Sequence, residues 1–558
     1  MKTTGDAAFA PKLVSVFREG YGLQAFRRDA IAGLTVAIVA LPLSMAIAIA
    51  SGAAPERGLY TAIVGGFIIS LLGGSRFQIG GPAGAFIVLV AAIIDRHGYD
   101  GLLLATLLAG IMMMALGACR LGTLITFIPQ PVTLGFTAGI AVIIFASQIR
   151  DLLGLTLDGK EPGALLPKLQ TLSDHITSIN FFAMLIAAGT MATILVLKRF
   201  KPHWPGLLIA VCLAGIAVSV LALPVETVGS RFGTVPSGLP APALPAWDVA
   251  KLIAVLPDAV AIALLGSIES LLSAVVADGM TGRRHRSNTE LVAQGLANIA
   301  TALFGGITAT GTIARTATNI RAGAHGPVSG MLHAIYLLIF MLIFAPLMAR
   351  IPLAALAGLL AIVAWNMVER HAVLSLLSER GTDAAVLAAT FLTTILRDLT
   401  EGILVGILLG AIVFAIRMAK LVEISTGHRL SEPVDERPLS DIDNDRVVSL
   451  RISGPLFFGS TPQLNTVLGR IGIKPDLYLL DLSAVPLVDA SGAQAVGAFA
   501  RQAAGQNARV IAIGARGSVR STLMRDEYVH KHLAFRETLA QVRNDELLSK
   551  EREHGLQP

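Results

Sequence analysis

The chain has 558 residues, 54% of them hydrophobic and 15% charged, against roughly 25% charged in an ordinary soluble domain, which speaks against a soluble globular enzyme. Of its 82 charged residues, 33 fall in the last 138 positions, 16 basic and 17 acidic. The net positive charge therefore belongs to an apolar first part of about 420 residues and points to membrane-facing loops, not to nucleic acid.

Residues 1–29 are polar and basic and form a cytoplasmic N-terminal segment. They run into an apolar stretch from Ala30 to about Ala50, long enough to cross a bilayer and without an obvious processing site after it, so it is expected to be a retained first span. Further apolar segments lie near 58–72, 79–94, 100–118, 131–149, 179–197, 204–223, 257–277, 290–304, 311–320, 327–348, 352–367, 382–396 and 401–418. That predicts an α-helical polytopic membrane domain of about fourteen spans over 30–420. Segments 79–94 and 311–320 are too short to cross roughly 30 Å at 1.5 Å per residue and are expected to be half-helices.

The basic clusters Arg27/Arg28, Lys198/Arg199/Lys201, Arg283/Arg284/Arg286 and Arg417/Lys420 all fall on one side when the spans are counted. By the positive-inside rule that side, and both termini, are cytoplasmic. Cys119 and Cys212 stand alone, which excludes a disulfide framework and a CxxC metal site. No cofactor, metal or enzymatic chemistry is expected.

The two short segments occupy matching places. Gly73-Gly74 precedes Gly80-Gly81-Pro82-Ala83-Gly84, and Gly305-Gly306 precedes Thr310-Gly311-Thr312-Ile313-Ala314-Arg315. Ile128-Pro129 and Ile351-Pro352 are a second echo, opening spans five and twelve. Seven spans repeated once give an inverted repeat, about 30–224 and 251–420, and glycine-interrupted segments at matching positions of such repeats mark a transporter's binding site. Two half-helix N-termini meeting near the midplane favour an anion, and Arg315 adds a full charge.

Glu269 lies near the middle of span eight, in Gly266–Leu272, where a bare carboxylate is expensive. It is read as a proton or coupling-ion site, or else as a structural partner of Arg315. Three other features carry no site. GLTLDGK at 154–160 lacks the Ser or Thr of a P-loop; Gly402, Gly406 and Gly410 form a helix-packing face; His285, His333 and His371 lack ligand spacing.

From Arg446 the pattern changes to apolar runs at Val447–Ile452, Leu477–Leu482 and Arg509–Ile513, alternating with helical stretches at Thr461–Arg470 and Gly492–Ala503. That predicts a small cytoplasmic α/β domain over 446–545, after a solvated linker at 421–445 and before a polar tail at 546–558.

Arg28–Gly33 leading to Leu41-Pro42, Gly58-Leu59-Tyr60, Gly74-Ser75-Arg76 before Gly80-Gly81-Pro82, Asn288–Asn298 and Phe304–Ala324 together resemble the SulP family of anion transporters over nearly the whole chain. The tail, with Val488-Asp489-Ala490-Ser491-Gly492, resembles a STAS domain. The resemblance implies a seven-plus-seven inverted repeat in which spans one to four and eight to eleven form a core that moves against a gate. It also implies a homodimer, elevator-like alternating access, and a small anion as substrate. The anion-contacting positions would be Leu43, Ile47, Gly81, Pro82, Ala83, Gly311, Thr312, Ile313, Ala314 and Arg315. Ser491 would be a regulatory phosphorylation candidate or a plain N-cap serine, and a cytoplasmic regulator a candidate partner. The runs Gly266–Gly282 and Ile313–Ala324 most resemble the aerobic C4-dicarboxylate branch. The expectation is thus a proton-coupled symporter of succinate or fumarate in a bacterial inner membrane. Its alternatives are a bicarbonate or sulfate permease, or a membrane sensor with the STAS domain as output.

Overall fold

A computed structural model describes residues 9–123, 129–159, 161–201, 204–379, 381–397, 399–426, 447–462 and 475–542. The chain divides into two compact units, Met1–Gly410 and Ala411–Pro558.

In chain order the first unit contains α1 (Lys12–Arg18), α2 (Leu23–Ala50), α3 (Pro55–Tyr60), a π-helical turn Thr61–Gly65, α4 (Gly66–Leu72), β1 (Gly80–Gly81), α5 (Ile87–Ala118), α6 (Gln130–Leu153) and α7 (Leu165–Asp174). Next come α8 (Phe181–Phe200), α9 (Gly206–Leu221), α10 (Val228–Phe232), α11 (Val249–Thr281), α12 (Ser287–Leu303), β2 (Thr310–Gly311) and α13 (Ile313–Arg321). It continues with α14 (Val328–Met348), α15 (Leu353–Met367), α16 (Arg370–Ser378) and α17 (Thr382–Leu396), and α18 (Leu399–Lys420) carries the chain across the boundary at Gly410. Among the described residues eight helices are long and apolar enough to cross a bilayer, and α9 and α17 are shorter apolar helices. Expected spans three and four are two helices that meet at a kink at Gly98, whose φ of 70° is not helical. Pro129 and Pro352 hold matching N-cap positions, with φ/ψ of −63°/139° and −69°/137°. A proline before the first turn gives up an N–H that would be unpaired anyway. Ile128 lies outside the described residues.

Two bundles emerge from the helix contacts. α2, α4, α5, α11, α12, α13 and α14 pack together, with α5 against α11 and α12 and α2 against α14; α6, α8, α9, α15 and α17 make the other. Alanine and glycine permit this closeness. A Cβ on Gly110 would stand 2.6 Å from Gly295 O, and one on Gly295 2.5 Å from Gly110 O, so backbones touch where α5 crosses α12.

The segments expected to be half-helices, 79–94 and 311–320, each begin with a short extended strand. β1 pairs antiparallel with β2, Gly80 opposite Gly311 and Gly81 opposite Thr310. A two-residue strand leaves no alternation for a sequence pattern to register.

The second unit has a five-stranded sheet in the order β3 (Glu423–Thr426), β4 (Val447–Ser453), β5 (Leu477–Asp481), β6 (Arg509–Ile513) and β7 (Leu533–Arg536). β3 is antiparallel to β4 and the remaining pairs are parallel. Helices α19 (Ala490–Gly505), α20 (Gly517–Leu523) and α21 (Glu527–His532) accompany it. Tyr478, Leu480, Val496, Phe499 and Val510 lie in its buried core. β3 falls inside the stretch expected to be linker: four residues at a sheet edge carry too little apolar signal to stand out. Residues 427–445 of that linker, most of the expected helix Thr461–Arg470, and the tail at 546–558 lie outside the described residues.

Candidate functional site

Thr312 sits at the N-cap of α13 and Ala83 at that of a single 3₁₀ turn, Gly84–Phe86, which opens α5. Because β1 and β2 are paired in opposite directions, these two helices leave the ladder from its opposite ends, and each N-terminus carries unpaired backbone N–H groups and the positive end of a helix dipole. The ladder is held from several sides. Ile79 N donates to Thr316 Oγ1 at 3.1 Å, Thr312 N to Ile79 O at 3.0 Å, and Thr310 Oγ1 to Gly266 O at 3.2 Å. Asn298 closes the loop before β2, accepting from Ala309 N at 2.9 Å and donating to Ala309 O at 2.8 Å.

Arg315, Thr316 and Asn319 lie on the buried side of α13, Asn319 four residues after Arg315 and three after Thr316, the spacings that make helix neighbours. Arg315 is 2% exposed. Its Nη2 donates to Ser44 Oγ and Pro82 O, each at 3.2 Å, while Nε and Nη1 have no partner. A buried guanidinium with unused donors is unstable by a large desolvation cost unless something accepts from it. Gly81 permits the approach: a Cβ there would stand 2.2 Å from Nη1.

The structure brings most of the expected positions to this place. Gly81, Pro82, Gly311, Thr312 and Arg315 join through the ladder and the bonds above, and Ala83 caps the turn that follows. Leu43 and Ile47 are buried on α2, which packs against α13. Ile313 is half-buried and Ala314 exposed, because their position on the turn points them away from the buried face of Arg315.

Glu269 corrects one expectation. It is half-buried on α11 and makes no ion pair or hydrogen bond with any described residue, Arg315 included. The structural-partner reading therefore fails: Arg315 is satisfied, in part, by a hydroxyl and a carbonyl. Beside Glu269, Ser270 accepts from Gln78 Nε2 through its carbonyl at 3.0 Å and its hydroxyl at 3.2 Å, and Gln78 Oε1 is buried without a donor. Gln78 lies over Gly311, whose missing Cβ would stand 1.4 Å from Nε2. Sequence reasoning passed over Ser44, Gln78, Thr316 and Asn298, although two of them directly follow or precede residues it had singled out.

Ser491 is a second correction. The N-cap of α19 is Asp489, which accepts from Gly492 N at 2.8 Å and from Phe458 N at 3.1 Å. Ser491 lies within the first turn, so the N-cap serine reading fails. Among the described residues no group of histidine, cysteine or acidic side chains is placed to hold a metal ion.

The sequence pattern of the sulfate permease family matches residues 26–390, and that of the STAS domain residues 441–542. A protein of Bacillus subtilis (strain 168) named "Putative sulfate transporter YvdB" is 41% identical over 516 residues, 92% of this chain and 96% of that one. The bicarbonate transporter BicA of Picosynechococcus sp. is 31% identical over 514 residues, 89% of this chain and 90% of its own. Among solved structures, the transmembrane domain of a cyanobacterium bicarbonate transporter BicA superposes with a TM-score of 0.62 at 30% identity, over 69% of this chain and 98% of that one. The murine Solute Carrier 26 family member A9 anion transporter, in its inward-facing state, gives a TM-score of 0.84 at 17% identity over 95% and 93%, a likeness of fold alone.

Proposed function

The chain belongs to the sulfate permease family, and from that premise we propose that it is a secondary active, proton-coupled carrier of a small inorganic oxyanion, bicarbonate or sulfate. The observation that carries this reading is Arg315, buried between two helix N-termini with Nε and Nη1 unspent. An oxyanion presents several acceptors on one compact charge, which suits a guanidinium fork and converging backbone N–H groups. The preference for C4-dicarboxylates, drawn from Gly266–Gly282 and Ile313–Ala324, has no support among the relatives reported above, whose names are those of sulfate and bicarbonate transporters; the inorganic oxyanion takes precedence over it.

Coupling is assigned to Glu269. An anion entering against an inside-negative potential costs about 2.3 kcal/mol per charge per 100 mV, so uncoupled uptake runs outward. A proton carried with each charge removes that cost, and one more makes entry electrically favourable. Glu269 has no cation beside it among the described residues, and Ile313, the first residue of α13, offers no hydroxyl for a sodium ion, which takes several oxygen ligands. The carrier is further proposed to be a homodimer in a bacterial inner membrane with both termini cytoplasmic. It would work by elevator-like movement of the α2–α5 and α11–α14 bundle, with Ser491 as a regulatory phosphorylation site and a cytoplasmic protein as its reader.

The test is uptake into proteoliposomes of labelled bicarbonate, sulfate and succinate, under an imposed pH or sodium gradient. Concentrative, pH-driven uptake of an inorganic oxyanion is expected. Uptake of succinate alone restores the dicarboxylate reading, sodium-driven uptake removes the proton, and no concentrative uptake of any anion favours the sensor.

A further inference from the structure

A ladder of two residues on each strand cannot define its own register. Isolated two-stranded pairs are marginal even when long, and a slip of one residue turns every side chain to the other face. Here a slip is costly, because only glycine fits against Arg315 at position 81. Something outside the ladder must set it.

The glycine turns that lead into the two strands are each gripped by the other half of the membrane unit. Ahead of β1, Gly74 N and Ser75 N both donate to one oxygen of Glu290, at 2.8 and 3.0 Å, while its other oxygen accepts from Gln294 Nε2 at 2.9 Å. Arg286 N donates to Gly74 O at 2.9 Å. Glu290 is 0% exposed in the first turn of α12. The turn fits only without side chains: a Cβ on Gly74 would stand 2.1 Å from Arg286 O, and one on Gly73 3.0 Å from Glu290 Oε2.

Ahead of β2 the polarity is reversed. Gly305 O accepts from Arg57 Nη1 at 3.0 Å and from the Tyr99 hydroxyl at 2.9 Å, and Ile307 N donates to Thr61 Oγ1 at 2.7 Å. Thr61 is 0% exposed, and a Cβ on Gly306 would stand 2.7 Å from its Oγ1. One turn is thus held through its N–H groups by an anion, the other through a carbonyl by a cation. Apart from Tyr99 of α5, both grips come from the start of the helical segment that follows the first span of the opposite half, α12 in one case and α3 with its π-helical turn in the other. The chain from Ser75 to Ile79, and from Ile307 to Thr310, is too short to absorb a displacement of either grip.

Building on the anion-carrier reading above, we propose that Glu290 and Thr61, with Arg57, are positioning residues: reciprocal latches that fix the register of the β1–β2 ladder and so aim the Arg315 guanidinium at the anion. Neither touches substrate. Each acts through the backbone it holds, the Glu290 latch strengthened by charge and low dielectric.

The test uses the full-length protein with Thr61→Val, Glu290→Ala and Glu290→Gln. Two readouts are taken, KM and kcat for anion uptake in proteoliposomes, and amide hydrogen exchange at Ile79–Gly81 and Thr310–Thr312. Thr61→Val keeps volume and loses a buried hydroxyl that accepts from Ile307 N and donates to the Arg57 and Ile307 carbonyls, so about a tenfold rise in KM with kcat within about twofold is expected, together with faster exchange at the ladder. Glu290→Ala should do the same, and Glu290→Gln, which keeps an acceptor oxygen for both N–H groups, should restore KM to within about threefold. A folded Thr61→Val protein with wild-type KM overturns the proposal, as does ladder exchange that quickens without any change in KM. Should Glu290→Ala not fold, Thr61→Val still decides. The exchange result does not depend on which anion is carried, so a wild type inert toward every anion counts against the carrier reading and not against the latches.

Discussion

At the scale of single residues, Arg315 could be read from the sequence because an arginine inside an apolar segment is conspicuous, and Gly81 because it sits in a glycine run. Its hydrogen-bond partners could not, since Ser44 and Pro82 stand 271 and 233 residues away along the chain and reach it only in the folded protein. Changing Arg315 to Ala removes a charge-assisted contact of about 1.5–3 kcal/mol. Anion affinity of the purified protein should therefore fall roughly ten- to hundred-fold while the protein still folds, and unchanged affinity in a direct binding titration would remove Arg315 from the site. Glu269 was legible for the same reason as Arg315, and its lack of a partner was not, because sequence offered the arginine as an obvious one. If Glu269 carries the coupling proton, Glu269→Gln, a neutral mimic of the protonated acid, should bind anion and exchange it across the membrane yet lose uptake driven by a pH gradient. Full pH-driven accumulation by the variant would move the proton elsewhere.

At the scale of elements, the helices were legible from apolar length, and what escaped was everything extended or polar between them. The N-terminal segment is the clearest case. It was read only as basic and cytoplasmic, but α1 lies across the turns of both halves of the first unit. Lys12 N donates to Gly73 O at 2.9 Å, Arg286 Nη1 to Ala10 O at 2.5 Å, and Val16 is buried where Gly326 leaves room for it. Glu19 ties the end of this strap to Arg76 by an ion pair, with Arg283 at 3.8 Å. The hydrogen bond from Arg76, aided by the charges of Arg76 and Arg283, holds the Glu19 carboxyl below the usual glutamate value of 4.5. A depressed carboxyl contributes to docking above its undocked pKa and loses that contribution as pH falls through the docked one. The strap should therefore stay docked near neutrality and loosen only in acid below the ordinary glutamate range. Hydrogen exchange of amides 12–18, corrected for its intrinsic pH dependence, should show protection falling there in the wild type and already reduced, without that acid step, in Glu19→Gln. Identical profiles for the two proteins would show that the ion pair does not hold the strap.

At the scale of the whole molecule, the change in charge density toward the C-terminus announced two materials, but it could not say where one stops. Charge marks solvation, and a short edge strand is as solvated as a linker; β3 was lost for that reason. Its pairing with β4, Glu423 opposite Ser453 through Thr426 opposite Leu450, decides how the two parts should be separated. Every residue assigned to anion binding or coupling lies between Leu43 and Arg315, within the first compact unit, so a carrier without its C-terminal unit should keep anion affinity within about threefold of the full chain. A chain ending at Ser431 retains Glu423–Thr426 with no β4 to pair with, an exposed edge that invites association with other chains. One ending at Leu421 keeps α18 whole and discards the strand. The shorter chain should thus be the better behaved, giving a single symmetric species by size-exclusion chromatography where the longer one aggregates, and both should bind anion where folded. A change in maximal uptake rate at constant affinity would mark the C-terminal unit as a regulator of the cycle. Loss of binding in a folded chain ending at Leu421 would instead make that unit part of the carrier and overturn the division.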